Sequence, residues 1–499
     1  MKKIKIIYIL LISLFLFTIT SCTKDEHKYD GELIVATNCE FPPFEYVDTD
    51  GSPTGIDIDL ATEIAKILNY KLQIKDMPFN SVITAIETKQ ANIAMAGLTI
   101  SEDRKKSVDF CNPYFEANQV VIGLKNSNAI NITNYDDLIN ELENKKIGYQ
   151  VGTVGEYFVN GDDSWGFNKI TGVTPVGYTS GSSAILALQN KQIDYVIIDK
   201  VPAQNFVLKN NQIDYNQHVH LTEESYAFAV AKGDTELAKK VNDALDELKE
   251  NGKFDEIVNK YFSNQATTEQ LNFIEKVVYI LDNYTPALLG GLGNTLLITI
   301  FAFIIGLVLG CVIAIIRIVP KKGNVILNIL DKICIGYTAV IRGTPVVVQL
   351  LLMYFGILAS TGLNAIVVAI IVFGLNSSAY MSEILRAGIM SVDSGQTEAG
   401  RTLGLSYMKT TTSIVMPQAF KNTLPTILNE LISLLKETSV AGFITVADIT
   451  FISQRIVTNE YTALAPYLIL AIIYFIIVVI LSFGVRLIER RLRVSDRNK

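Results

Sequence analysis

The chain has 499 residues, with 43 Lys and Arg against 50 Asp and Glu, a formal net charge of −7, five cysteines and three histidines. That length exceeds one domain, and the acidic balance gives no basic footprint for nucleic acid. The cysteines show no CxxC spacing and the histidines no clustering, so neither a metal nor a cofactor is expected. Mean hydropathy is +0.31, too high for an ordinary soluble protein and too low for a chain lying wholly in a membrane. The average hides two halves, a polar one from about 30 to 265 and one with long uncharged apolar runs from about 285 to 490.

At the N-terminus a basic stretch (1–5) precedes an apolar run (6–19) and the small-residue sequence Ile19-Thr20-Ser21-Cys22. These are the n-region, h-region and cleavage site of a secretory signal. The last four residues resemble a bacterial lipobox, which implies removal of 1–21 and lipidation of Cys22, with 22–30 as a polar tether. The alternative is an uncleaved membrane helix with an incidental cysteine. Against it stands the apolar run, which is short for a bilayer span.

From Gly31 strands and helices alternate. Residues 33–36 read as a strand, 58–68 as a helix, 71–74 as a strand, 82–87 as a helix and 91–96 as a strand. A second set runs from 146 to 199, then a strand at 226–231 and helical residues 236–262. Such alternation predicts α/β architecture with mostly parallel sheets. The order suggests two lobes, with the chain crossing near 119–123 and again near 221–226. Cys39 and Cys111 lie in this half, and their pairing is left open. Cys311 and Cys334 fall in or beside apolar segments and read as small buried hydrophobes.

Four fragments then stand in order: 35–46 (VATNCEFPPFEY), 55–60 (GIDIDL), 96–106 (AGLTISEDRKK) and 108–115, containing VDF and PYF. Together they resemble the polar amino-acid-binding proteins of bacterial ABC importers, over essentially residues 31–262. The resemblance implies a two-lobed, type II periplasmic-binding-protein-like domain at 31–265. Lobe 1 would take about 31–120 and 221–262, and lobe 2 about 121–220. A buried zwitterion needs a partner for each charge. A carboxylate suits a guanidinium with its two parallel donors. By resemblance Arg104 and Thr99 take the carboxylate, and Gly97 lets the ligand approach the backbone. Asp199 takes the ammonium, and Thr153 and Val154 contact the ligand from lobe 2, Val154 through its backbone alone. Phe41 and Phe79 sandwich the side chain, which Asn38 and Asp57 face. Glu40 is near in sequence but is given no role. The ligand expected is glutamine or a basic amino acid, with cystine behind.

In the second half no charge occurs from 283 to 316, from 343 to 382 (with a polar break at Ser360-Thr361-Gly362) or from 461 to 485. The middle stretch can cross a bilayer twice. A further span near 424–447 contains Glu430, Lys436 and Glu437, which at that depth must face protein or water. Arg317, Lys321 and Lys322 follow the first span, and Arg486, Arg490, Arg491 and Arg493 the last. The positive-inside rule puts both clusters in the cytoplasm. With the binding domain exported, the number of crossings is odd, which favours five. The organisation read is a linker at 266–287, a transmembrane domain at 288–490 and a cytoplasmic tail at 491–499. The protein would thus be a multi-pass component of the cytoplasmic membrane.

Residues 395–407 (GQTEAGRTLGLSY), followed by Ile414-Val415-Met416-Pro417-Gln418-Ala419, resemble the EAA loop of ABC import permeases, and Arg342-Gly343-Thr344-Pro345 with Gln349 resembles the second span of the amino-acid subfamily. The resemblance implies an all-α, type I importer permease, dimeric with itself or a related permease. Glu398, Ala399, Gly400 and Gly404 would lie on a coupling helix that docks on a separate ABC ATPase. Gly400 departs from the usual alanine, at a cost of up to about 1 kcal/mol of helix propensity. No GxxxxGK[ST] phosphate loop occurs, so ATP hydrolysis is assigned to another polypeptide and no catalytic residue to this one. The rivals are a glutamate-receptor-like channel, which would need a filter inside the second lobe, and a sensor, which would need a further soluble domain.

Overall fold

The computed structural model describes residues 28–263, 271–319, 321, 324–460 and 462–497. The expected signal segment, Cys22, most of the tether, residues 266–270 of the expected linker, Lys322 and the last two residues of the tail lie outside them.

The first half is two lobes. Lobe 1 holds β1 (Gly31–Thr37), β2 (Glu40–Phe41), β3 (Glu45–Val47), β4 (Pro53–Thr54), β5 (Tyr70–Asp76), β6 (Ile93–Ala94) and β7 (Val108–Ala117), with helices α1 (Ile56–Ile67) and α2 (Phe79–Glu87). Lobe 2 holds β8 (Gln119–Leu124), β9 (Lys146–Gln150), β10 (Thr174–Tyr178), β11 (Tyr195–Asp199) and β12 (Ile213–Tyr215), with α3 (Tyr135–Leu142), α4 (Val154–Asn160), α5 (Gly181–Gln189) and α6 (Lys200–Leu208). The chain returns to lobe 1 through β13 (Glu224–Ala231), α7 (Thr235–Glu250) and α8 (Lys253–Ser263). The two five-stranded sheets run β5-β1-β6-β13-β7 and β10-β9-β11-β8-β12, and β2-β3-β4 form a small antiparallel sheet.

Both five-stranded sheets are mixed, where the alternation suggests mostly parallel ones. β1 runs parallel to β5, with Val35 opposite Ile74, whereas β13 runs antiparallel to β6 and β7. The cause is the double crossing. β7 carries the chain out toward lobe 2 and β13 carries it back, so the two meet antiparallel. In lobe 2, β8 turns Val120 and Ile122 to one core and Val121 to the other, the period-two pattern of a strand buried on both faces. Cys39 and Cys111 are free and buried. Cys111 packs in the main lobe 1 core with Leu33, Val35 and Phe228, and Cys39 does not.

Gly55, just before α1, has φ +129°, and a Cβ there would sit 2.2 Å from the Phe44 carbonyl oxygen. Backbone strain of this kind is of order 1–3 kcal/mol, and the carbonyl has no flexible end to yield. Gly55→Ala is therefore expected to lower the thermal midpoint of the lobes, read by calorimetry. An unchanged midpoint would contradict the close approach.

The second half is helical: α9 (Phe273–Ile318), α10 (Val325–Gly343), α11 (Val346–Leu351), α12 (Ala365–Met390), α13 (Ser394–Thr402), α14 (Tyr407–Thr410), α15 (Met416–Glu437), α16 (Ile449–Glu460) and α17 (Leu464–Arg497). Among the described residues, α9, α12 and α17 are long and apolar enough to cross a membrane. Two bent pairs, Val325–Gly343 with Val346–Ile357 (108°) and Tyr407–Ile444 with Ile449–Glu460 (55°), bring the count to as many as five. The chain breaks at Ala359–Thr361 and Gly362, where the polar triplet suggests it.

Part of the expected linker is helix. Asn272 and Glu275 form a capping box that starts α9 at Phe273. Ile280, Tyr284 and Ala287 then pack against Ile449, Ile452 and Ile456 of α16. α9 and α12 meet through small residues, with Gly306 against Ser377 and Gly374 against Ile305. Glu430 faces protein, 3.3 Å from the Ser377 hydroxyl.

Candidate functional site

A cleft between the lobes is lined by Asn38, Phe41, Phe79, Ala96, Gly97, Thr99 and Arg104 from lobe 1, and by Gln150, Thr153, Val154 and Asp199 from lobe 2. All the ligand-facing residues predicted from sequence lie there except Asp57. Asp57 is buried behind the cleft, where it accepts from Gly97 N at 3.0 Å and from the Tyr114 hydroxyl at 2.7 Å. Burial pushes its carboxyl up to about 6. It holds the Gly97 turn from the rear, because the first turn of α1 aims it into the lobe rather than the cleft. Gln150 and Ala96 also line the cleft, at positions for which the sequence carries no signal. Gln150 opens the loop that supplied Thr153 and Val154, and its amide reaches Gly181 N at 3.2 Å.

Arg104 opens a single turn, Arg104–Lys106, and its backbone N–H donates to the Ser101 hydroxyl at 3.1 Å. Its guanidinium donates to the Thr99 carbonyl at 2.8 Å and, across the cleft, to the Gly152 carbonyl at 2.9 Å. It stands 5.5 Å from the centre of the Phe79 ring, within cation–π range. The Thr99 hydroxyl donates to Glu224 at 2.7 Å. Gly97 has φ +52°, and a Cβ there would meet the Phe41 ring at 3.0 Å, so glycine keeps both turn and ring in place.

Asp199 ends β11 and accepts from the Tyr226 hydroxyl. Burial, then the nearby Glu224 carboxylate, push its carboxyl up to about 7. The cleft therefore presents a guanidinium on one lobe, a carboxylate on the other and two aromatic rings between, the complement of a zwitterion with an adaptable side chain. Among the described residues no group of His, Cys, Asp and Glu is placed to hold a metal.

A second cavity lies between the lobes and the helices. Glu40, Phe79, Ser182, Phe443, Arg455 and Tyr467 are among its walls, so Phe79 belongs to both spaces.

On the loop after α12, Asp393 caps α13 and Ser406 caps α14. Glu398, Ala399 and Gly404 are exposed, while Gly400 is buried. A Cβ at Gly400 would meet the Thr410 methyl at 2.5 Å, so this residue packs the loop together rather than presenting it outward. The departure from alanine thus has a steric cause. Leu403 is 79% exposed and Met408 63%.

Residues 33–264 match the bacterial extracellular solute-binding proteins, family 3, and residues 306–494 match the binding-protein-dependent transport system inner membrane component. Among curated proteins, the chain is similar to the probable histidine-binding protein of Neisseria gonorrhoeae, at 36% identity over 46% of this chain and 83% of that protein. It is also similar to the arginine transport system permease protein ArtQ of Bacillus subtilis (strain 168), at 39% identity over 42% of this chain and 94% of that protein. Among solved structures, a mutant of ArgBP from T. maritima is 37% identical over 47% of this chain and 96% of its own length, with a TM-score of 0.43. The permease match and the apolar helices make this a multi-pass membrane protein, and they disfavour the channel and sensor alternatives. The chain belongs to the amino-acid ABC importers, joining a family 3 solute-binding unit and an inner-membrane permease in one polypeptide.

Proposed function

We propose that the cleft captures the zwitterion of glutamine or a basic amino acid and that the helical half of the same chain passes it inward as a separate ABC ATPase cycles. The observation that carries this reading is the placement of Arg104 and Asp199 on opposite walls of one cleft. Arg104 takes the carboxylate with Thr99, Asp199 takes the ammonium, and Phe41 and Phe79 hold the side chain. Asn38 donates its amide N–H to the Met77 carbonyl at 2.8 Å, and its amide oxygen, which accepts from the Gln150 amide at 3.5 Å, is turned to accept from an N–H donor such as a guanidinium or an amide. Two relatives are named for histidine and arginine, in keeping with a nitrogen-rich side chain.

The chain is read as exported up to its first span and lipidated at Cys22, with its C-terminus in the cytoplasm and its permease paired with a second copy or a related subunit. Fusion holds the binder over its permease at roughly millimolar effective concentration, without a free encounter step. The exposed loop bearing Glu398, Ala399 and Gly404 is read as the ATPase dock, with Gly400 packed beneath it.

A pH titration tests the ammonium partner. The protonated Asp199 carboxyl cannot ion-pair with an ammonium, and burial beside the Glu224 carboxylate pushes that carboxyl up to about 7, so binding releases a proton and is weaker below that pH. Calorimetry on the full chain in lipid nanodiscs is expected to show the dissociation constant for L-glutamine or L-arginine falling roughly tenfold from pH 6 to pH 8. Asp199→Asn is expected to bind weakly and without that dependence. A flat profile in the unaltered chain would remove Asp199 from this role.

A further inference from the structure

One helix of the permease grips the wall of the cleft. Arg455, on α16, donates from Nε to Asp76 Oδ2 at 2.8 Å and from Nη2 to Asp76 Oδ1 at 2.6 Å, and its Nη1 pairs with Glu40. Its side chain is only 3% exposed, with the guanidinium 4.3 Å from the centre of the Phe451 ring. Asn459, one turn further on, donates to the Val47 carbonyl of lobe 1. The same helix touches lobe 2, where the Thr458 hydroxyl lies 3.1 Å from that of Ser182 and Lys209 Nζ donates to the Asn459 carbonyl at 2.8 Å.

The partners of Arg455 are not ordinary docking residues. Asp76 Oδ1 also accepts from Cys39 N at 2.9 Å, and the Asn38 amide donates to the Met77 carbonyl. Glu40 lies on β2, between Cys39 and Phe41. These bonds lace segment 38–41 to segment 76–79, and the two segments carry Asn38, Phe41 and Phe79 into the cleft. Burial pushes the carboxyls of Glu40 and Asp76 upward, and the Arg455 charge opposes it in both. Without the guanidinium, two neighbouring carboxylates are left buried and uncompensated, a strongly destabilising arrangement for the segments that hold them. α16 in turn packs on α9 and α17 through Ile449, Ile452 and Ile456, which ties it to the membrane helices.

We propose that Arg455 is a positioning residue for the cleft: through Asp76 and Glu40 it sets the lobe 1 wall, so that α16 couples the state of the permease to ligand affinity. This rests on the cleft being the amino-acid site. The test is calorimetry on the full chain in lipid nanodiscs with L-glutamine, L-arginine and L-histidine as probes. Arg455→Gln is expected to raise the dissociation constant at least tenfold for whichever probe the unaltered chain binds, and Arg455→Lys to recover part of the loss, because it keeps the charge without the fork. Asn459→Ala removes a neighbouring docking contact without touching the laced segments, and is expected to stay within twofold. The triple variant Glu40→Gln/Asp76→Asn/Arg455→Gln leaves no unpaired charge buried and keeps the question answerable should the single variant misfold; at least a fivefold rise is expected. Affinity within twofold of the unaltered chain in the triple or the folded single variant overturns the proposal, as does an equal loss in Asn459→Ala. An unaltered chain that binds none of the probes overturns the amino-acid reading itself, and this proposal with it.

Discussion

Replacing Arg104 by alanine is expected to raise the dissociation constant for the amino acid by at least about a hundredfold. Truncating one partner of a buried, hydrogen-bonded charge pair typically costs about 2–5 kcal/mol, and each 1.4 kcal/mol is tenfold. Here the loss is compounded. The Thr99 and Gly152 carbonyls both lose their donor, so the change unties the two lobes where the ligand should draw them together, and the Phe79 ring loses the cation beside it. Lysine at this position is expected to recover part of the affinity only, because an ammonium lacks the planar fork that matches a carboxylate. Calorimetry on the full chain in lipid nanodiscs checks this, and unchanged affinity in Arg104→Ala would sink the assigned site.

Replacing Gly404 by tryptophan is expected to leave amino-acid affinity unchanged and to cut ligand-stimulated ATP hydrolysis and uptake roughly tenfold or more, as a bulky intrusion at an interface hot spot does. Gly404 has φ +80°, joins α13 to α14, and has open space where a Cβ would go. A side chain there meets backbone strain and projects from the surface that also exposes Leu403 and Met408. On the proposed reading, these exposed apolar groups lie on the face that the ATPase would cover. Measuring hydrolysis by the reconstituted complex alongside ligand binding separates the two effects. Normal uptake in this variant would count against the docking role.

Much of the cleft was legible because its chemistry depends on short motifs. Arg104, Thr99 and Gly97 lie within one run of eight residues, and Asp199 ends an apolar strand whose register is unambiguous. Asp57 was misplaced because sequence gives distance along the chain but not the face of a helix: the first turn of α1 points it at Gly97 N and Tyr114. Gln150 is not legible, because a glutamine before a glycine loop has no signature of its own. The mixed sheets follow from the double crossing, a topological fact that strand-by-strand patterning does not carry. In the helical half, the uncharged runs located the spans, but the start of α9 depended on the Asn272–Glu275 capping box inside a polar stretch. Least legible was Glu40, near the cleft in sequence and without an evident role. Its partner Arg455 lies more than four hundred residues away, and only the folded chain brings the two together.

The most direct test of the central claim is a binding titration of the full chain in lipid nanodiscs against the twenty amino acids and cystine. Saturable binding of one polar amino acid, glutamine or a basic one, is the predicted result, and it fixes the substrate as well as the class. Binding of none of them would contradict the account: the cleft residues would lose their assigned roles, and the substrate would lie outside the amino acids.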